Sequence, residues 1–403
     1  MRLHRNLVFA VIDATELIFN KEEYADKVVE KVLKRDKRWG ARDRGFIAET
    51  TYEMVRWKRL YQEIAEVKPP YSRANLFRMF AVWATLRGIA LPEWKQIEPT
   101  PARRIKGRFD ELSKIRKYRE SIPDWLDELG SKALGEALWS KEISALNQQA
   151  DVILRVNSLK TTRPALSALL AKEGFANVPL KDHPYALKLE ERANIFVTDA
   201  FKQGCFEVQD ASSQLVAPFL QVLPGQRVID ACAGAGGKAL HLAALMENKG
   251  QLIALDIYAN KLKELKRRAK RNGAHNIETR LIDSTKVIKK LHASADAVLI
   301  DAPCTGLGIL RRNPDTKWKL HPDTLGKITK TQQQLLTEYS LMVKPGGTLV
   351  YATCSILPLE NEAQVNLFLE ADAGKDFSLD LQKTIHCSKS GHDGFYMARM
   401  YRK

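Results

Sequence analysis

The sequence predicts a doubly wound, Rossmann-like α/β domain in its C-terminal half, preceded by a small α+β module and an all-helical N-terminal region. Three observations carry this expectation. From about residue 209, short apolar runs such as DAVLIDAP and GGTLVYATC alternate with stretches of helical period, the pattern of a parallel sheet covered on both faces. A glycine-rich turn, Asp230 to Lys238, lies between the first of these runs and the helix after it, where nucleotide-binding α/β domains carry theirs. Over residues 1–145, apolar positions recur mostly at helical spacing.

Taken in order, MRLHRNLVFAVIDATELIF has a basic start and an apolar stretch, but Asp13 and Glu16 interrupt it and no small-residue cleavage site follows. It reads as a helix of a soluble, cytoplasmic protein rather than as a leader. Helical spacing continues through YADKVVEKVL, FIAETTYEMVRWKRLYQEIAEV and ANLFRMFAVWATLRGIAL, with breaks at Lys68-Pro69-Pro70 and Glu98-Pro99-Thr100-Pro101. Residues 146–208 form the expected module. ADVILRVNSLK alternates like a strand, Thr161 to Gly174 reads as a helix with Pro164 in its first turn, and YALKLE and GCFEVQD read as strands. Residues 209–403 then give strand RVID, helix KALHLAALM, strand QLIALDI and helix NKLKELKRRAKRNG. After these come strand ETRLID, a helix through Lys290, strand DAVLIDAP, a helix around Thr331 to Val343 and strand GGTLVYATC.

Composition narrows the function. With 403 residues, 45% apolar and 28% charged, the chain has ordinary globular usage, and 22 Gly and 5 Cys exclude collagen-like and disulfide-scaffold classes. No uncharged apolar run approaches the ~18–20 residues of a membrane span. Sixty-four Lys plus Arg against 48 Asp plus Glu give a net charge of +16, which fits a polyanion partner or simply a soluble basic protein. The basic residues cluster at Lys34–Arg44, Ala102–Arg119 and Lys261–Arg271. Each alone reads as a solvated helix face; three together, with Trp39, Trp57 and Tyr118 near the first two, raise the nucleic-acid reading.

The turn Asp230-Ala231-Cys232-Ala233-Gly234-Ala235-Gly236-Gly237-Lys238 lets the backbone turn sharply and approach a ligand. Asp256, twenty residues past Gly236, ends the next strand and is placed to accept hydrogen bonds from ribose hydroxyls. Gly234-x-Gly236-x-x-Ala239 also fits the dinucleotide fingerprint, so NAD and S-adenosylmethionine are not separated by the glycines. Asp230 suits the cationic amino group of S-adenosylmethionine, and Asp283, after the third strand, its adenine amino group. A turn without a ligand is the alternative. Strand four ends Asp301-Ala-Pro303-Cys304-Thr-Gly306 and strand five Ala352-Thr353-Cys354-Ser355, both at carboxyl ends where such sheets bind ligands. Two thiols there fall within reach of one bound ring. Cys205 and Cys387 are expected to pack, and Cys232 to matter through its backbone. With no close Cys-x-x-Cys pair, zinc is disfavoured, and the odd, sparse count disfavours disulfides.

VQDASSQL, DACAGAGGK, LIDAPCTGLGILRRNPDTKW, YATCSILPLENEAQV and GHDGFYMARM together resemble successive motifs of the RsmB/Nop2/Sun family of RNA cytosine-5 methyltransferases, over roughly residues 147–403. ARDRGFIAETTYEMVRW resembles, more weakly, the helical RNA-binding extension of the bacterial ribosomal members. The resemblance implies a class I methyltransferase fold, S-adenosylmethionine as donor and RNA as substrate, ribosomal before transfer RNA. It makes Cys354 the nucleophile and Cys304 the thiol that assists release. Many relatives carry a proline in the glycine-rich run; CAGAGGK lacks it but keeps Asp230, Gly236, Gly237 and Lys238.

Asp301 is expected at the cytosine edge, with Lys238 positioning Asp301 or the donor. Arg311, Arg312, Lys317 and Trp318 are expected to grip flanking RNA, with a basic surface loop as the alternative. Glu360, Asn361 and Glu362 are expected to shape their loop or cap its helix. A monomer without metal is expected. Against this stand a non-catalytic RNA-binding or assembly factor on the same fold, and an NAD-dependent enzyme, which has no use for paired cysteines.

Overall fold

The computed structural model describes residues 2–97 and 101–403; the break expected at Glu98–Thr100 lies outside these. Two compact units result. One runs to Gln148 and also takes in Leu310–His321, while the other comprises Gln149–Ile309 and Pro322–Lys403. No helix among the described residues is long and apolar enough to cross a membrane.

The first unit is helical. Its longest helices are Arg5–Asn20, Ala41–Arg56 and Arg73–Leu86, and Val8, Val11, Ile12, Ile47, Met54, Leu76 and Phe80 bury their apolar faces in one core. Ser72 caps the last of these, accepting the Asn75 amide on its hydroxyl. The stretch FIAETTYEMVRWKRLYQEIAEV, expected as one helix, breaks at Trp57 into Ala41–Arg56 and Lys58–Ala65.

The segment Leu310–His321 completes this unit. The Trp318 indole donates to the Val55 carbonyl at 2.7 Å, and the Arg56 guanidinium donates to the Arg311 carbonyl at 2.9 Å. Asp315 accepts the Ala25 amide at 3.0 Å, at the start of helix Ala25–Leu33. Lys317 is fully buried and donates to Asn147 Oδ1 at 3.0 Å and the Glu120 carbonyl at 3.3 Å. Burial pushes its ammonium well below the ordinary lysine range. The expectation that these residues grip RNA therefore fails for Lys317 and Trp318, and Arg311 is largely buried too. A basic and aromatic run looks the same in sequence whether its donors face phosphates or backbone carbonyls.

The second unit carries two sheets. The smaller is antiparallel, β1 (Ile153–Val156), β2 (Asn177–Pro179), β3 (Ala186–Leu189) and β4 (Phe206–Val208), in the order β2-β3-β1-β4. Strand β2 was not expected; NVP is too short and too exposed to show alternation. The expected helix forms as Arg163–Lys172, with the Thr162 hydroxyl accepting the Ala165 amide. Leu154, Leu166, Leu170, Leu187 and Phe206 make this module's core.

The larger sheet has seven strands: β5 (Arg227–Asp230), β6 (Gln251–Asp256), β7 (Ile277–Leu281), β8 (Ala295–Asp301), β9 (Val343–Thr353), β10 (Phe377–Ile385) and β11 (Phe395–Arg402). Their order is β10-β11-β9-β8-β5-β6-β7. Strands β5 to β9 pair in parallel, while β11 runs antiparallel to β9 and β10. Ile229, Ile253, Val298, Ile300 and Leu349 are buried on one face, and Val228, Leu252, Leu299 and Val350 on the other. This is the Rossmann-like fold the sequence predicts, with two additions it did not show. The pair β10–β11 is antiparallel, and its first member is exposed over much of its length, so no continuous apolar run announces it. The helix expected around Thr331–Val343 is Pro322–Tyr339, and Val343 already belongs to β9.

Candidate active site

Strand order reverses between β5 and β8, so the crevice at their carboxyl ends is the topological switch point where such sheets take ligands. Asp230 ends β5 and Asp301 ends β8, and the two carboxylates flank that point. Asp230 is fully buried, and among the described residues neither of its oxygens has a close hydrogen-bond partner. Burial, with Asp301 nearby, pushes its carboxyl up to about 7. An isolated buried acid of this kind is stabilised by a cation.

The glycine-rich turn is held from three sides. Gly234 and Gly236 take left-handed backbone (φ 54° and 88°), and Gly236 starts the helix Gly237–Leu245. A side chain at either would be strained. Asp256 accepts the Gly234 amide and the Tyr258 amide, both at 2.8 Å, which fixes its carboxylate while leaving lone pairs for hydroxyl donors. Arg268 donates to the Ala235 carbonyl at 2.8 Å and pairs with Glu207 at 2.9 Å. Arg155, buried in β1, donates to the Gly237 carbonyl and to Gln209. Ala233 donates to the Leu255 carbonyl at 2.8 Å. Cys232 packs against the sheet core, and burial pushes its thiol well up, leaving it inert.

Lys238 reaches from the helix start to Asp301, Nζ to Oδ2 2.7 Å, with its ammonium 5.3 Å from the centre of the Phe395 ring. Burial disfavours its charge, but the Asp301 carboxylate outweighs this and raises it above the ordinary lysine value. Asp283 lies just past β7, exposed, with the Ser284 hydroxyl donating to it at 3.1 Å. It shares the carboxyl edge of the sheet with Asp256, since the Ile282 amide donates to the Asp256 carbonyl.

The two cysteine turns meet. Cys304 Sγ and Cys354 Sγ stand 3.2 Å apart, which the parallel pairing of β8 with β9, Asp301 opposite Ala352, brings about. The hydrogen bond to Cys354 and burial push the Cys304 thiol well up. Either sulfur can be the donor of the pair. The Cys354 carbonyl accepts the Gly308 amide at 2.9 Å, and the Gly308 carbonyl accepts the Gly394 amide at 2.8 Å, so the helical turn Leu307–Ile309 and the residue before Phe395 are tied to the second cysteine turn. Cys205 and Cys387 are both buried.

Sequence reasoning did not single out Arg155, Glu207 or Arg268 as supports of the glycine-rich turn. The signal was one charged residue inside each of the short strands ILRV and FEV, a placement that requires a buried partner. Part of the basic cluster Lys261–Arg271 also turns inward, because Arg268 and Arg271 both pair with Glu207.

Comparison with known proteins points to one family. The family described as 16S rRNA methyltransferase RsmB/F matches residues 217–401, and its ferredoxin-like domain matches residues 122–196. A probable ribosomal RNA small subunit methyltransferase B of Synechocystis is 38% identical over 62% of this chain and 56% of its own length. The Escherichia coli ribosomal RNA small subunit methyltransferase B is 30% identical over 85% of this chain and 80% of its own. The chain thus spans little more than half the length of the first of these. Among solved structures, that of PH0851 superposes with a TM-score of 0.83 at 25% identity over 99% of each chain. A methyltransferase homologue from Pyrococcus horikoshii gives 0.63 at 27% identity, over 73% of this chain and 99% of its own.

Proposed function

The chain belongs to the RsmB/F family of ribosomal RNA methyltransferases, and from that premise we propose that it transfers a methyl group from S-adenosylmethionine to C5 of a cytosine in ribosomal RNA. The observation that carries this reading is the thiol pair, Cys304 and Cys354, 3.2 Å apart beside the Lys238–Asp301 ion pair. The residues at the switch point fit the donor. The buried, partnerless Asp230 suits its ammonium group, Asp256 the ribose hydroxyls and Asp283 the adenine edge, while the glycine-rich turn lets backbone approach closely. When bound, the donor supplies an electrophilic methyl group.

The chain's own groups supply the rest. C5 of cytosine is a poor nucleophile until C6 is attacked. The Cys354 thiolate adds to C6, making C5 enamine-like and able to take the methyl group. As C6 is attacked N3 takes up a proton from water, and the Asp301 carboxylate accepts hydrogen bonds from N3–H and the exocyclic amine while Lys238 holds Asp301 in place. Loss of the C5 proton to water, and of the proton taken up at N3, then lets the C6–S bond break and the Cys354 thiolate leave. Cys304, 3.2 Å from Cys354, assists that elimination. The base must leave its stack to reach the thiols, so single-stranded or extruded cytosine is the substrate form.

Cys354→Ala should abolish methylation, whereas Cys304→Ala should accumulate a covalent protein–RNA adduct visible on a denaturing gel. Wild-type turnover by Cys354→Ala would sink the assignment. Bisulfite sequencing of total RNA from a deletion strain should show one ribosomal cytosine losing its mark; an unchanged pattern would remove the substrate.

A further inference from the structure

The buried carboxylate of Glu360 lies outside the donor crevice and is not used by the chemistry above. It follows β9 in the short helical turn Pro358–Glu360 and has no exposed surface. Its Oε1 accepts the Thr305 backbone amide at 2.7 Å and the Gln332 side-chain amide at 3.3 Å. Its Oε2 accepts the Thr305 hydroxyl at 2.6 Å and also the Ser355 hydroxyl. Thr305 directly follows Cys304, and Ser355 directly follows Cys354. One carboxylate therefore grips the residue after each cysteine.

The surroundings reinforce this grip. Gln332, also fully buried, donates to the Pro303 carbonyl at 2.9 Å, on the other side of Cys304. The Tyr351 hydroxyl donates to the Glu360 carbonyl at 2.7 Å. Asn361, the next residue, accepts the Thr353 hydroxyl at 2.5 Å and donates to the Ser355 carbonyl at 3.1 Å, so the second cysteine turn is fixed on both sides of Cys354. A charged acceptor with four donors makes charge-assisted bonds about twice as strong as neutral ones. Such an investment is out of proportion to capping the helix Glu362–Glu370, which receives no side-chain cap from Asn361.

We propose that Glu360 is a positioning residue that holds the two cysteine turns in register, so that the Cys304 and Cys354 sulfurs stay in hydrogen-bond contact. Its effect falls on the step that needs both thiols, release of the modified base, more than on the first addition. This rests on the two-thiol reading of the site, and the test separates the two.

The first measurement needs no RNA. Diamide takes one hydrogen from each thiol, is reduced to the corresponding hydrazine and leaves an S–S bond. Wild type should form the Cys304–Cys354 disulfide, located by peptide mapping. Glu360→Ala should form it at least tenfold more slowly, and Glu360→Gln, which keeps one acceptor oxygen, at a rate between the two. Equal rates in all three proteins, each checked for folding by circular dichroism, would overturn the tether.

The second measurement is single-turnover methylation with RNA. Glu360→Ala should accumulate the covalent adduct as Cys304→Ala does, and Glu360→Gln should largely recover release. Loss of activity in Glu360→Ala without adduct, where Cys304→Ala does trap it, would also overturn the proposal. Absence of adduct in Cys304→Ala itself would count against the two-thiol reading instead, while the diamide rates would still judge the tether.

Discussion

Replacing Asp230 by asparagine should stabilise the protein without its donor and weaken donor binding, and the structure gives the size of the effect on stability. The carboxyl is fully buried and its oxygens lack partners, so its value rises from 3.8 to about 7. An acid whose folded value is raised costs nothing below its unfolded value. The cost grows as pH climbs from about 4 to about 7 and is constant above that. Three units at about 1.36 kcal/mol each give about 4 kcal/mol. The asparagine amide brings its own buried polar cost of about 1–3 kcal/mol, independent of pH. The variant should therefore be no more stable than wild type near pH 4 and about 1–3 kcal/mol more stable at pH 8. Urea titrations at both pH values measure this; a stability difference that does not change with pH would refute the reasoning. Calorimetry supplies the functional half. Wild-type affinity for S-adenosylmethionine should rise up to about pH 7 with release of a proton, and the variant should bind at least a hundredfold more weakly.

Two further outcomes follow from the packing. Glu207→Ala leaves Arg268, Arg271 and Asn272 without their shared carboxylate and should cost about 3–5 kcal/mol, the usual price of breaking a buried pair. Burial would raise the Glu207 carboxyl, but its arginine and asparagine partners outweigh that and lower it. Its contribution is present above the unfolded value of about 4.5 and is lost as pH falls below it, so thermal denaturation should show the variant and wild type converging in acid. Trp318→Ala removes an indole packed on the first core and its bond to the Val55 carbonyl. It should cost about 3–4 kcal/mol, read as faster proteolysis within residues 1–148.

The parts of the fold legible in the sequence were those whose residues speak through local period. RVID, QLIALDI and DAVLIDAP are buried on both faces and could hardly be anything but central parallel strands. Strand β10 escaped because FSLDLQKTI is an edge strand with five of its nine residues exposed. At the site, Asp230, the glycines and both cysteines were legible because each sits at a strand end that the chain itself marks. Arg155 and Glu207 were not, because their partners lie far away in sequence, at Gly237 and at Arg268 and Arg271. The same limit misplaced Lys317: its partners, Glu120 and Asn147, are about 170 to 200 residues upstream.

The segment Leu310–His321 has a consequence for how the molecule is made. A chain leaving the ribosome folds from its N-terminus as residues appear, at about 5–20 per second. The helical unit needs Leu310–His321, and the 173 residues from Gln149 to His321 take about 10–35 seconds to synthesise at that rate. For that interval the Val55 carbonyl, the Arg56 guanidinium and the Ala25 amide wait for partners not yet translated. The N-terminal region thus finishes folding only after β8 and the first cysteine turn have left the ribosome, and a nonsense codon anywhere before residue 310 would leave both units incomplete.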